Sequence, residues 1–331
     1  MIKKLNYSLL TFLFCLFFFE TDALAQIKVR ELAENDSVVV VPFGDMDQWV
    51  TRRIKESSII GGNYTDVYAI GPTQTIEGAI PYENMGGSPW ATSNVMARVA
   101  GITKTNTSVF PERRDTGFAA RMDTRMESVR VLGIIDITVL AAGSVFLGSV
   151  HEPITSTKDP NQILLSGIPF TDKPKSVCFD YKVNLSGEPE RIRATGFGKI
   201  RRVKGVDLPV ATVFLQKRWE DEKGNIFAKR VGTMALYFYE DTDWTSDVVY
   251  DIQYGDISGE DYFLKDRMGL STSEYFTLNS KGKNVAVKEV EWGSEDDEPT
   301  HLIMQFSSSN GGAYVGSPGN KFWVDNIRLV Y

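Results

Sequence analysis

Three carboxylates near predicted strand ends are the groups of this chain that could act as an acid and a base. Asp180 lies within SVCFDYKV, and Glu220 and Asp221 close the run DLPVATVFLQKRWED. Hydrolysis of a glycosidic bond needs two carboxyl groups about 5 to 10 Å apart, a distance that the sequence does not fix. Asp180, Glu220 and Asp221 are therefore catalytic candidates, and a solvated strand face with a polar turn is the simpler alternative.

Tryptophans next to acidic residues are candidates for sugar binding. Trp219 and Trp244 each stand beside a short acidic run, at predicted strand ends where binding loops gather. We group Trp49 with them, because the flat indole ring stacks well on the apolar face of a sugar. Packing in the core is the alternative for all three, since a tryptophan is more often buried than presented to a ligand.

Arg121 and Asp123 lie two residues apart in RRDTGFAARMDTR and would share one face of a strand. A concave sheet with such side chains on its floor would suit a hydroxyl-rich ligand. A charged ladder in contact with water explains the pattern equally well. Both interpretations stay open, and Arg121 and Asp123 are retained as carbohydrate-binding candidates.

Asp325 stands among bulky apolar residues in the final run GNKFWVDNIRLVY. Strict alternation places it on one face with Trp323, Ile327 and Leu329. An unpaired buried carboxylate costs several kcal/mol or more. A salt bridge to a buried arginine or a β-bulge that turns Asp325 outward would resolve this conflict.

Other kinds of chemistry lack their sequence signals. The chain has no Gly-x-Ser-x-Gly elbow, phosphate-binding loop, dinucleotide fingerprint or His-Glu-x-x-His motif, and only two histidines, so a histidine-rich metal site is excluded. The formal net charge of −7 argues against nucleic acid and anionic lipid as partners. Protein partners are left open.

The first 25 residues are typical of a secretory signal peptide. MIKK supplies a positive end, LLTFLFCLFFF an apolar stretch, and ALAQ a cleavage site after Ala25. The apolar stretch is shorter than the ~20 residues that span a bilayer, so no transmembrane anchor is expected. The sequence therefore predicts a secreted protein of the periplasm or cell surface, in which Cys178 is the only cysteine left after cleavage and no intrachain disulfide forms.

Alternation of apolar and polar residues dominates from about residue 115 onward and predicts strands. Two alternating runs flank EDEKGN and predict a long antiparallel hairpin. Residues 259–269 are the best candidate for a helix. We expect an all-β, jelly-roll-like antiparallel β-sandwich with long loops and few short helices, in which residues 26–114 add strands and long loops to the main domain, 115–331. A small N-terminal subdomain is the alternative for residues 26–114.

Several stretches resemble the putative carbohydrate metabolism domain family, which occurs in exported proteins of Gram-negative bacteria. They are FGDMDQW (43–49), GSVFLG (143–148), GIPFTDKPKSVCFDYKV (167–183) and MQFSSSNGGAYVGSPGNKFWVDNIRLVY (304–331). The resemblance implies a jelly-roll-like sandwich similar to carbohydrate-binding modules and some glycan-active enzymes. Residues 185–205 and 255–298 match no pattern of the family.

The resemblance also implies a structural calcium ion. In many carbohydrate-binding sandwiches an aspartate of a late strand binds calcium, and Asp325 has a similar position. Calcium takes 6 to 8 oxygen ligands, which Asp45 and Asp47 would help to supply. No other cofactor is expected.

These observations favour a secreted carbohydrate-binding protein that takes part in glycan recognition or utilisation, with its ligand on a concave sheet or a loop rim. A glycoside hydrolase or lyase with a carboxylate pair is the first alternative. A structural or adhesive surface component without a sugar ligand is the second. Whether the protein is an enzyme stays open.

Overall fold

The computed structural model describes residues 29–83, 85–99, 101–131, 135–155, 160–196 and 198–331. The predicted signal peptide, residues 1–25, lies outside this part of the chain. Strands dominate the described residues. None of the helices found there is long and apolar enough to cross a membrane.

The strands of the first half of the chain are β1 (Val29–Glu31), β2 (Val38–Val40), β3 (Trp49–Lys55), β4 (Tyr64–Ile70), β5 (Gln74–Glu77), β6 (Trp90–Thr92), β7 (Val95–Val99), β8 (Ile102–Asn106), β9 (Val109–Arg114), β10 (Gly117–Val131), β11 (Ile135–Ala142) and β12 (Ser144–Val150). Single 3-10 turns occur at Ser58–Ile60, Met85–Gly87 and Pro160–Ile163.

The strands of the second half are β13 (Leu164–Ser166), β14 (Ile168–Pro169), β15 (Ser176–Asn184), β16 (Arg191–Arg193), β17 (Thr195–Gly196), β18 (Arg201–Val203), β19 (Val210–Glu220), β20 (Ile226–Tyr237), β21 (Thr242–Asp251), β22 (Gln253–Tyr254), β23 (Phe276–Leu278), β24 (Asn284–Trp292), β25 (His301–Ser307), β26 (Val315–Gly316) and β27 (Lys321–Val330). The helix predicted over 259–269 is a single turn, α1 (Lys265–Met268).

Two large sheets form the body of the protein. The nine-stranded sheet has the order β1-β21-β15-β27-β10-β11-β17, with β2 on β27 and β9 on β10. The ten-stranded sheet has the order β14-β25-β19-β20-β24-β23-β13-β12-β6, with β22 on β20. An additional pairing of β12 with β25 bends the second sheet back on itself, so that one of its faces is concave.

Aromatic rings from both sheets meet in the core. Phe306 of the ten-stranded sheet lies 5.0 Å from Phe179 and 6.4 Å from Phe322 of the nine-stranded sheet, measured between ring centroids. Phe322 also contacts Phe238 at 4.7 Å. All four rings belong to one buried or nearly buried cluster that spans the two layers. The prediction of an all-β sandwich is confirmed. Among the described strands, the pairs β3–β5, β13–β23 and β20–β24 are parallel.

The predicted long hairpin is β19–β20, which pairs from Val210 with Tyr237 to Glu220 with Ile226. The Asp221 carboxylate accepts hydrogen bonds from the backbone N–H groups of Lys223 and Asn225 and thereby holds the turn. Because side chains alternate along β20, Met234 enters the core while Tyr237 points to the other face.

The last strand departs from strict alternation. Asn326 has a φ of +52°, and the pairing of β27 with β15 shifts by one residue there, from Asp325–Asp180 to Arg328–Cys178. This is a β-bulge, and asparagine tolerates the left-handed conformation that it requires. Val324 and Ile327 consequently both face the core. The predicted grouping of Asp325 with Ile327 and Leu329 on one face is therefore wrong.

Strands of the N-terminal region join both layers. β6 pairs with β12 in the ten-stranded sheet, whereas β1, β2 and β9 extend the nine-stranded sheet. β3, β4 and β5 form a separate sheet, and β7 and β8 form a hairpin. Residues 26–28 lie outside the described part of the chain.

Candidate functional site

A cleft of about 690 Å³ opens on the concave face of the ten-stranded sheet, and β11 of the nine-stranded sheet contributes to its lining. Gln305 and Ser307 of β25 line this cleft, while the intervening Phe306 enters the core. The volume lies in the range of about 300 to 1,000 Å³ that small-ligand pockets occupy. Alternation along one strand thus gives the core and the cleft from the same segment.

One wall of the cleft is apolar. It combines branched aliphatic side chains of the β7–β8 hairpin and of β11 with an aromatic ring of β12, and its members include Val95, Ile102, Ile137, Val139 and Phe146. Three tyrosines, Tyr237, Tyr275 and Tyr314, also line the cleft. Such a lining suits a ligand that has an apolar face and polar edges.

Tyr237 and Asp266 form a hydrogen-bonded pair in the cleft. The tyrosine hydroxyl donates to Oδ2 of Asp266 at 2.8 Å. Burial and this carboxylate raise the pKa of Tyr237 to about 12. The hydroxyl therefore stays protonated at neutral pH and fixes the direction of the Asp266 side chain.

Arg267 lines the same end of the cleft with most of its donors unused. Its Nη2 donates to the hydroxyl of Thr212 on β19. Its Nε is buried without a hydrogen-bond partner. Within the described part of the chain, Arg267 forms no ion pair and its Nη1 has no acceptor. A guanidinium with so few partners can accept a ligand.

Arg191, at the start of β16, has a similar environment. Its Nη2 donates to the backbone oxygen of Lys204 at 2.8 Å, and its Nε is buried without a partner. Two other charges of the cleft are neutralised by neighbours. Lys104 contacts Glu56 at 2.9 Å, and Glu127 contacts Arg125 at 2.8 Å.

Arg230 and Glu289 form a buried ion pair behind α1, next to the cleft. Arg230 donates through Nε to Glu289 at 2.6 Å and through Nη2 to the other oxygen of the same carboxylate. Gln216 donates to Glu289 at 2.5 Å, and the backbone N–H of Ser271 donates to the same carboxylate at 2.8 Å. The guanidinium lies 3.3 Å from the ring centroid of Phe214. Arg230 and Glu289 thus lock β19, β20 and β24 together.

The same ion pair positions α1. Nη1 of Arg230 donates to the backbone oxygen of Met268 at 3.3 Å, and Met268 follows Arg267 directly. Because α1 is one turn long, this contact and the Thr212 contact fix most of its orientation. The buried arginine therefore helps to place the arginine of the cleft.

Arg218 and His301 form a second polar group at the far end of the face. Burial lowers the pKa of Arg218 to about 10, and its Nε donates to Gln216 at 2.7 Å. Burial and the positive charge of Arg218 lower the pKa of His301 to about 4. His301 is therefore neutral at pH 7, and its Nδ1 shares a hydrogen bond of 2.9 Å with Thr300.

Asp180 and Asp325 meet on the nine-stranded sheet, away from the cleft. Nη1 of Arg114 donates to Asp180 at 2.7 Å and to Asp325 at 2.8 Å. The ring of Trp244 covers this guanidinium, with its centroid 4.0 Å from the Cζ atom. Burial raises the pKa of Asp325 to about 6, although Arg114 opposes the shift. Both suggested explanations for Asp325, the arginine and the bulge, are present.

Glu220 and Asp221 lie at the tip of the β19–β20 hairpin and hold local structure. Glu220 accepts hydrogen bonds from the N–H and the hydroxyl of Ser280, at 2.8 and 2.7 Å. Asp180, the third catalytic candidate, lies on the other sheet. The structure thus does not place the three candidates around one cleft.

The three tryptophan candidates have different environments. Trp219 is 41% exposed and stacks on Phe227 with a centroid distance of 5.9 Å, so one ring face is available at the hairpin tip. Trp244 is half-buried against Arg114. Trp49 is only 5% exposed, and its indole N–H donates to the backbone oxygen of Met46. Trp49 is therefore a core residue.

Arg121 and Asp123 belong to a charged ladder on the nine-stranded sheet. Arg121 donates to Glu112 at 2.6 Å, and its Nε lies 3.1 Å from the Asp123 carboxylate. The guanidinium also stacks on Phe110, 4.6 Å from the ring centroid. Burial raises the pKa of Asp123. Neither residue lines the cleft.

The calcium prediction depends on Asp45, Asp47 and Asp325. Asp47 accepts from the N–H of Phe118 at 2.7 Å, whereas Asp45 accepts weakly from the N–H of Asp47. No group of three or more acidic, histidine or cysteine residues in the described ranges could hold a metal ion. Arg114 already supplies positive charge at Asp325, so these contacts do not favour calcium there. The calcium hypothesis stays untested.

Sequence reasoning missed the residues of the cleft. Asp266 and Arg267 lie in the segment 255–298, which matched no pattern and carries little periodicity. Tyr237 offered a signal, because it alternates with core residues in TMALYFYE and must face away from them. Its partners could not be inferred from that pattern.

Comparisons with known proteins give distant structural likenesses. No family model matches the chain, and no curated protein matches it. The chain is similar to a crystal structure described as a putative glycoside hydrolase from Bacteroides thetaiotaomicron, at 18% identity and a TM-score of 0.47, covering 91% of this chain and 72% of that one. It is also similar to a non-crystalline cellulose specific carbohydrate-binding module, CBM28, at 11% identity and a TM-score of 0.25, covering 75% and 91%.

Both TM-scores lie below 0.5, so neither likeness establishes what this chain does. The resemblance to the carbohydrate metabolism domain family likewise stays a prediction.

Proposed function

We propose that this protein binds a carbohydrate in the cleft on the concave face of the ten-stranded sheet. One observation carries the proposal. A single cleft of about 690 Å³ combines an apolar and aromatic lining with hydrogen-bonding side chains such as Tyr237, Gln305 and Arg267. Sugar rings present an apolar C–H face and a rim of hydroxyl groups, which this lining complements.

Glycan-array binding by the purified protein tests the proposal, followed by titration calorimetry with any glycan that binds. Gln305→Ala and Tyr237→Ala should weaken binding about tenfold or more, because each removes a polar contact from the cleft. Trp219→Ala tests the competing site at the hairpin tip. Loss of binding in this variant, with the two cleft variants unaffected, would move the site to Trp219.

A hydrolase is the second candidate, because two carboxylates line the same cleft. Asp266 is oriented by Tyr237, and the exposed Glu274 lies in the lining close to Tyr275. The assay is release of reducing ends from the glycans that bind. Asp266→Asn and Glu274→Gln should abolish release and leave binding measurable if these residues are the acid and base. Binding without any release would favour the binding protein.

Export forms part of the proposal. The predicted signal peptide, residues 1–25, would direct the protein to the periplasm or the cell surface. N-terminal sequencing of the protein from the native cell envelope checks this point. Gln26 is expected as the first residue, and a chain that begins at Met1 would contradict it.

A further inference from the structure

We infer that the ligand of the cleft is an acidic glycan, one whose sugars carry carboxylate or sulfate groups, and that Arg267 binds the acidic group. This inference rests on the proposed function and narrows it. It depends on the partners of each charged group in and beneath the cleft.

Arg230 and Arg267 differ in their hydrogen-bond partners. Arg230, directly behind α1, has a carboxylate on two of its nitrogens and a backbone oxygen on the third. Arg267 has one neutral hydroxyl, that of Thr212, on Nη2. Its buried Nε has no partner. Nη1 has no acceptor in the described structure and is not among the buried atoms, so it is the donor that a ligand in the cleft can reach.

The charged groups around the cleft form no ion pair with Arg267 in the described structure. Lys104 and Glu56, and Arg125 and Glu127, are paired with each other. Asp266 adjoins Arg267 in sequence, but its Oδ2 accepts the hydroxyl of Tyr237 and it forms no ion pair with Arg267 in the described structure. Glu274 also lines the cleft, and it forms no ion pair with Arg267 in the described structure. Arg267 therefore has no carboxylate partner and can bind an acidic group of a ligand.

The Thr212 contact restricts the guanidinium of Arg267. Thr212 accepts from Nη2, while Nη1 has no acceptor in the described part of the chain. A planar guanidinium binds carboxylate and sulfate oxygens with two donors at once, which a neutral hydroxyl cannot match. Tyr237 and Tyr275 line the same cleft as Arg267. They would contact the sugar ring while Arg267 contacts the acidic group.

Calorimetry with paired probes tests the inference. The acidic probes are oligogalacturonides, alginate oligosaccharides and sulfated galactan oligosaccharides. The neutral probes are methyl-esterified oligogalacturonides and galacto-oligosaccharides. At least one acidic series should bind about 10-fold to 100-fold tighter than its neutral counterpart, and added salt should weaken it. Carboxylate and sulfate arms distinguish the two sources of charge.

Variants assign the effect to Arg267. Arg267→Gln should lose about tenfold or more in affinity for the acidic probe, and Arg267→Lys should lose less, because it keeps the charge but not the planar pair of donors. Arg202→Gln is the matched control, since the Arg202 side chain is 83% exposed and lies outside the cleft. Equal thermal melting of the variants excludes unfolding as the cause.

The outcomes separate the inference from the proposed function. Neutral probes that bind as tightly as acidic ones, or unchanged acidic binding in Arg267→Gln, would overturn the inference and leave carbohydrate binding intact. Failure of the folded protein to bind any probe or arrayed glycan would overturn both.

Discussion

Arg230 and Arg267 lie on the same face of the ten-stranded sheet, but of the two only Arg230 has a carboxylate partner in the described structure. Arg230 is fully buried and stacks on Phe214. Two of its nitrogens donate to the carboxylate of Glu289. Arg267 is half-buried, borders the cleft and contacts one hydroxyl. The difference distinguishes an arginine that stabilises the fold from one that can bind a ligand.

Arg114 extends the comparison to the other sheet. It has two carboxylates, Asp180 and Asp325, and a third contact to the hydroxyl of Ser246 at 3.0 Å. Its partners come from β15, β27 and β21, so Arg114 of β9 ties four strands together. Arg114, like Arg230, therefore has a structural role. Removing a carboxylate partner of Arg114 or Arg230 should lower the stability of the protein. Replacing Arg267 should instead weaken ligand binding.

The largest effect is expected for Glu289→Gln. It leaves the buried Arg230 without its carboxylate, which should lower the free energy of unfolding by about 3 to 5 kcal/mol. Urea denaturation at pH 7 measures this change. Glu274→Gln is the control, because Glu274 is exposed and its loss should change stability by less than about 0.5 kcal/mol. Equal stability of both variants would contradict a structural role for Arg230 and Glu289.

Arg114→Met should have the next largest effect. It leaves Asp180 and Asp325 without their shared arginine and should cost about 2 to 4 kcal/mol at pH 8. The cost should shrink at pH 5, because Asp325, with a pKa already raised to about 6, can then take up a proton. Denaturation at the two pH values gives the comparison. A cost that is independent of pH would indicate that Asp325 does not depend on Arg114.

The pH dependence of the wild-type protein should reflect His301. Its pKa is lowered to about 4 in the folded state from an ordinary value near 6.5. The unfolded chain therefore binds the proton more readily, and stability should fall by about 1 kcal/mol as the pH drops from 6.5 towards 4, allowing for partial exposure of the ring. His301→Gln should remove this fall.

Asp325 should act in the opposite direction over much of the same pH range. Its folded pKa is about 6, above the ordinary value of 3.8, so its contribution to stability is fully present below about 3.8 and is lost as the pH rises through 6. Asp325→Asn should therefore steepen the acid-side loss of stability. A profile identical to that of the wild type would contradict the raised pKa.

The smallest effect on stability is expected for Arg267→Gln. Only one hydrogen bond, to the hydroxyl of Thr212, is lost from a half-buried residue, so the free energy of unfolding should change by about 1 kcal/mol or less. The same denaturation measurements apply. A loss comparable to that of Glu289→Gln would place Arg267 among the structural arginines and remove the contrast.

The fold class could be predicted because alternation is a local property of the chain. The β19–β20 hairpin and the core faces of β15 and β25 follow from residues that repeat every second position. The bulge in β27 could not be predicted, since the apolar residues on both sides of Asn326 fit either register until the partner strand fixes one.

The candidate site was predictable only in part. Tyr237 follows from alternation along β20, but Asp266 and Arg267 come from a segment with no periodic pattern. Their significance lies in which groups they do or do not contact, such as Tyr237 and Thr212. Nothing in the order of the residues indicates that Glu289 neutralises Arg230 while Arg267 keeps its charge.

The sequence by itself determined the all-β class and the long hairpin, because these depend on neighbours a few residues apart. Only the tertiary structure decided that Asp325 meets Arg114, 211 positions away, and that Arg267 lines an open cleft and forms no ion pair in the described part of the chain. The physical reason is that the free energy of a charge depends on partners and burial, and here both are set by strands that are distant in sequence.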